Sequence, residues 1–99
     1  MDEVREIRNP EFGKISVLRI NGYPWMVGED VAAALGYADP EGAVMNHVEI
    51  CDMWSFHDED GEGWTVINKP AVFALAMKSN HPKAGEFIQW LIDEVWSEE

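Results

Sequence analysis

Apolar residues dominate both arms of KISVLRINGYPWMV around a polar two-residue break and then recur at helical spacing, which marks a strand, a turn, a strand and then a helix. Ile15, Val17, Leu18 and Ile20 supply apolar bulk to one strand arm, Trp25 and Val27 to the next. Asn21-Gly22 between them signals a hairpin, because a type I′ turn needs positive φ at both central positions. Pro24 has no N–H to donate to a ladder, which predicts an edge position or a bulge.

GEDVAAALGYADP reads as a short helix. Glu29 and Asp30 stand where a helix N-terminus favours negative charge, Val31, Ala34 and Leu35 share a face, and Gly36 is placed to end it. Asp39 as N-cap and Pro40 at the first turn predict a second short helix, with Val44, His47 and Val48 on one face. Two short helices across a tight turn have the pattern of a helix-turn-helix. ICDMWSFHDEDGEGWTVIN predicts a second hairpin: Trp54 and Phe56 on one arm, Trp64, Val66 and Ile67 on the other, and an exposed acidic tip. Asn68 caps a third helix with Val72, Leu75 and Ala76 inward, and His81-Pro82 breaks the chain. Phe87, Leu91 and Val95, with Ile88 and Ile92 beside them, mark the last helix. The expected fold is α+β: a small antiparallel sheet of two hairpins with about four helices packed against it.

With 99 residues the chain makes one domain and can bury roughly 65% of its unfolded surface. Five tryptophans and 46% apolar residues exclude a disordered tail. The tryptophans are expected to anchor the core; Trp90 and Trp96 flank the main apolar stripe of the last helix, where the choice for one of them lies between partial burial and exposure as a binding hot spot. No apolar run approaches the ~18 residues that span a bilayer, and MDEVREIRNPEF is no signal peptide. The single cysteine, Cys51, fits a reducing compartment and reads as a small core residue. A cytoplasmic protein with no membrane partner is expected.

Charge changes the picture more. The net charge is −12, and residues 20–68 hold ten acids and no lysine or arginine. A DNA binder must neutralise phosphates with cations, so this half argues against nucleic acid as partner. His47, Cys51, His57, Asp58 and Asp60 match no zinc spacing, and the Asp58–Glu62 tip lacks the long loop and bidentate Glu of a calcium site. No phosphate loop, nucleophile elbow or Ser/His/Asp pattern is present. Neither a metal, a cofactor nor an enzyme activity is expected.

The run INGYPWMVGEDVAAALGYADPEGAVMNHV, and after the hairpin VINKPAVFALAMKSNHPKAGEFIQWLIDEVW, resembles the Bro N-terminal (Bro-N) domain of phage antirepressors. Asp30-Val31-Ala32, Leu35-Gly36-Tyr37, Pro40, His47-Val48, Asn68, Phe87, Trp90 and Glu94-Val95 stand where that pattern wants them. The resemblance covers about residues 12–96, so the chain is expected to be a single Bro-N-like domain over 1–99 without a C-terminal partner domain. It implies a phage or prophage protein in the bacterial cytoplasm, of a family described as DNA-binding. Where relatives carry lysines or arginines after the D-P turn, this chain has Glu41, Gly42 and Met45. Around the last motif it has Gly85, Glu86, Ile88 and Gln89.

Two readings follow, with a hydrolase or metal enzyme as a distant third. In one, the protein binds and inhibits a basic or nucleic-acid-binding protein, such as a repressor or a host-defence component, its acidic face imitating a phosphate backbone. The candidates are Glu29, Asp30, Asp39, Glu41, Glu49, Asp52, Asp58, Glu59, Asp60 and Glu62. In the other, Lys14, Arg19, Lys69, Lys78 and Lys83 converge into a DNA-binding patch. A homodimer is compatible with either.

Overall fold

The structure, a computed structural model, describes residues 4–57 and 59–98. Five strands run β1 (Val4–Asn9), β2 (Gly13–Ile20), β3 (Tyr23–Val27), β4 (Met53–His57) and β5 (Gly63–Ile67). They form one antiparallel sheet in the order β1-β2-β3-β5-β4. Four helices join them: α1 (Gly28–Ala34), α2 (Pro40–His47), α3 (Lys69–Lys78) and α4 (Ala84–Glu94). The α+β expectation holds, with one strand more than the two hairpins predicted. β1 holds only two apolar residues, Val4 and Ile7, among charged ones, so it carries no strand periodicity to read.

The Asn21-Gly22 turn forms as expected, with φ of 54° and 85°. Pro24 sits in an interior strand, yet β5 pairs only with Met26 and Val27, so its missing N–H faces no neighbour. Asp39 caps α2 by accepting the Gly42 N–H (3.1 Å), and a Cβ at Gly42 would collide with that carboxylate. Asn68 caps α3 by accepting the Ala71 N–H (3.2 Å). α1 has no side-chain cap; its Asp30 instead accepts the Ser16 N–H of β2 (2.9 Å), pinning helix to sheet.

Successive strand residues point to opposite faces, and the two faces differ here. Ile7, Ile15, Val17, Met26 and Ile67 join the buried cluster with Val31, Leu35, Val72, Leu75, Phe87 and Leu91 from the helices. Arg5, on the same face, donates to the Glu94 carbonyl at the end of α4 (3.0 Å). The other face is open. Leu18 and Val66 are buried there outside that cluster, between register neighbours: Val4 and Trp25 flank Leu18, and Val27 and Trp54 flank Val66.

Register therefore redistributes the tryptophans. Trp54 is 58% exposed and Trp64 36% exposed, because β4 and β5 point them away from the helices. Trp90 is half-buried, and Trp96 is buried with its ring stacked on Phe73 (5.8 Å). The exposed tryptophans thus lie on the second hairpin and not on the last helix. Cys51 also departs from expectation: the 3-10 turn Ile50–Asp52 between α2 and β4 holds it in solvent. That turn adds no buried residue to the core, so its apolar side chains have nothing to pack on.

Candidate functional site

α1 and α2 cross closely, since a Cβ on Gly28 would come within 2.9 Å of the Val44 side chain. The β4–β5 hairpin stands opposite the pair. Between them runs a groove of about 350 Å³, lined by Glu29, Glu41, Val44, Met45, His57 and Trp64 among others. Met45 is 63% exposed on α2, and His57 lies over Gly63, whose missing Cβ leaves room for the imidazole. Glu29 also borders a second hollow, of about 330 Å³ on the open sheet face, with Trp64 and Lys14.

Of the acidic residues the sequence singles out, Glu29 and Glu41 meet in this groove. Glu59, Asp60 and Glu62 lie in or beside the hairpin tip, and Glu49 sits exposed ahead of the 3-10 turn. Asp58 lies outside the described residues. Three others are engaged in holding the fold: Asp30 on β2, Asp39 at the α2 cap, and Asp52, which accepts from the Asn68 side chain (3.0 Å). Met45, Trp64 and Trp54 were missed as surface groups by sequence reasoning. An exposed tryptophan has no sequence signal apart from its strand register, which tertiary pairing decides.

Apart from Lys14, which shares the second hollow with Glu29, the candidate cations lie away from the groove. Lys14 lies 3.7 Å from Glu6, and Lys83 pairs with Glu11, whose hydrogen bond and charge raise the lysine pKa. Arg19 donates to the Gly22 carbonyl (3.2 Å), and Lys69 lies over the Trp96 ring at 5.3 Å. Lys69 and Lys78 stand at opposite ends of α3, about 13 Å apart along its axis. α2, placed as the second helix of the helix-turn-helix pattern, exposes Glu41, Met45 and Asn46 and carries no lysine or arginine. Its His47 packs its ring on Tyr37 (5.7 Å). Among the described residues no three His, Cys, Asp or Glu side chains gather as a metal site, and no helix is long and apolar enough to cross a membrane.

Residues 14–97 match the family model described as BRO family, N-terminal domain. An uncharacterized protein of Haemophilus influenzae is 29% identical over 82 residues, which is 80% of this chain and 41% of that protein. The chain thus spans about two-fifths of the length of that relative. No solved structure matches.

Proposed function

The chain belongs to the BRO family through its N-terminal domain, a regulatory antirepressor-like kind, and from that premise we propose that it acts by binding and inhibiting a basic protein partner. The partner is a nucleic-acid-binding protein, and the groove between α2 and the β4–β5 hairpin receives it as the acidic surface stands in for phosphates. One observation carries this reading: the segment without any lysine or arginine, residues 20–68, builds α1, α2 and both arms of that hairpin. An incoming phosphate backbone would meet Glu29 and Glu41 there, whereas an arginine side chain would gain both. The family's DNA-binding character supports the alternative, in which Lys14, Arg19, Lys69, Lys78 and Lys83 hold duplex DNA.

Titration with non-specific duplex DNA at low salt, read by gel shift and tryptophan fluorescence, separates the two. No shift is expected; a shift that disappears with salt would establish the DNA-binding alternative. The positive arm uses an arginine-rich peptide with glycine spacers. It is expected to bind at low salt, to weaken as salt rises, and to lose ~10-fold or more against the double variant Glu29→Lys, Glu41→Lys. Absence of binding sinks the acidic-groove reading.

A further inference from the structure

The two outer strands of the sheet are finished differently. β1, one edge, carries Arg5, Glu6 and Arg8. Arg8 pairs with Glu6 at 3.0 Å, and Arg5 is tied to α4. Charged side chains on an outer strand deter another chain from pairing with it. β4, the other edge, reads Met-Trp-Ser-Phe-His over residues 53–57, with no lysine, arginine, acid or proline. It is straight in register against β5, with five consecutive pairs from Met53↔Ile67 to His57↔Gly63. No strand among the described residues pairs with its outer side. Exposed apolar side chains lie along it: Ile50 at 85% just before the strand, and Trp54 at 58% within it.

A five-residue open edge offers about 17 Å of outward N–H and C=O groups, enough to template a short added strand. The ends of that edge specify the chemistry of what is added. Glu49 and Asp52 precede β4, and Glu59, Asp60 and Glu62 follow it. We propose that β4 is the docking edge for an extended, strand-forming segment of the partner, apolar or β-branched where it meets Trp54 and bearing lysine or arginine at both ends. This rests on the acidic, protein-binding reading above and states how that partner is held. Charge complementarity selects this occupant over a second copy of the chain. Antiparallel pairing of two β4 strands about a two-fold axis would set each acidic tip beside the other copy's Glu49 and Asp52, where like charges repel.

The test uses the full chain and three synthetic peptides: alternating valine and threonine flanked by arginines, the same peptide interrupted by proline, and the glycine-spaced arginine peptide. The first is expected to bind ~10-fold or more tightly than the other two and to slow amide hydrogen exchange across residues 53–57. Trp54→Lys, a change at an exposed site, should remove the preference while its circular dichroism stays that of the parent. Should that variant fail to fold, Glu49→Lys with Glu59→Lys serves instead, and should weaken the valine-threonine peptide by ~10-fold. Equal binding of all three peptides without protection of β4 overturns strand addition and leaves the acidic reading standing. If none binds, both fall. A larger particle in sedimentation without peptide, with β4 protected, would assign the edge to a second copy and overturn the proposed occupant.

Discussion

β2 and β4 each form the first arm of a hairpin and end in opposite circumstances. β2 buries Ile15, Val17 and Leu18 to 4% exposure or less and lies between two partner strands. β4 has a partner on one side and leaves Trp54 in solvent. The first hairpin turns over two residues; the second turns through an acidic loop of several. What separates them is position in the sheet. A strand flanked on both sides and backed by helices contributes chiefly to stability, while one at the rim, beside a groove, has surface to offer.

The largest expected effect breaks the comparison at its stable end. Ile15→Ala removes a fully buried side chain from β2 and should cost about 2–5 kcal/mol by denaturant unfolding. Trp54→Ala on β4 starts from a half-exposed side chain but uncovers part of its cross-strand neighbour Val66, and should cost about 1 kcal/mol in the same assay. A loss comparable to Ile15→Ala would show that β4 is as structural as β2. Gly22→Ala comes next. Its φ of 85° is left-handed and nothing crowds its Cβ, so the backbone alone should cost about 1–2 kcal/mol. Asp39→Ala removes the α2 cap at one wall of the groove, at about 1 kcal/mol, with a fall in thermal midpoint as the readout.

The smallest effect concerns Tyr37, which connects α1's end to α3. Its hydroxyl donates to the Leu75 carbonyl (2.7 Å), and desolvation raises its pKa above the ordinary tyrosine value. A folded-state pKa that is raised means the folded protein holds the proton more firmly. The associated stability is present below the ordinary tyrosine pKa of about 10 and is lost as pH rises through the folded value. Unfolding midpoints measured on the alkaline side should therefore fall less steeply for Tyr37→Phe than for the parent. Parallel curves would remove Tyr37 from that pH dependence.

Much of the fold was legible because its signals are local. Asn21-Gly22, Asp39-Pro40, Gly36 and Asn68 each act within three or four residues, and each turn or cap forms where those residues stand. The apolar spacing of α4 likewise needs only its own helix to be read, and Phe87 and Leu91 are fully buried. The candidate site was legible in part. Glu29 and Glu41 carry their charge wherever they lie, but sequence could not tell them from Asp30, Asp39 and Asp52, whose carboxylates accept hydrogen bonds that hold elements together.

By itself, then, the sequence determined the helices and hairpins, the family motifs and a middle half with no lysine or arginine. Only the tertiary structure decided that β1 joins the sheet, that β3 meets β5, and that Trp54, Trp64 and Cys51 face outward. The reason is physical. Caps and turns are satisfied by neighbours along the chain, whereas exposure and free edges depend on which face the helices cover and which strand comes last.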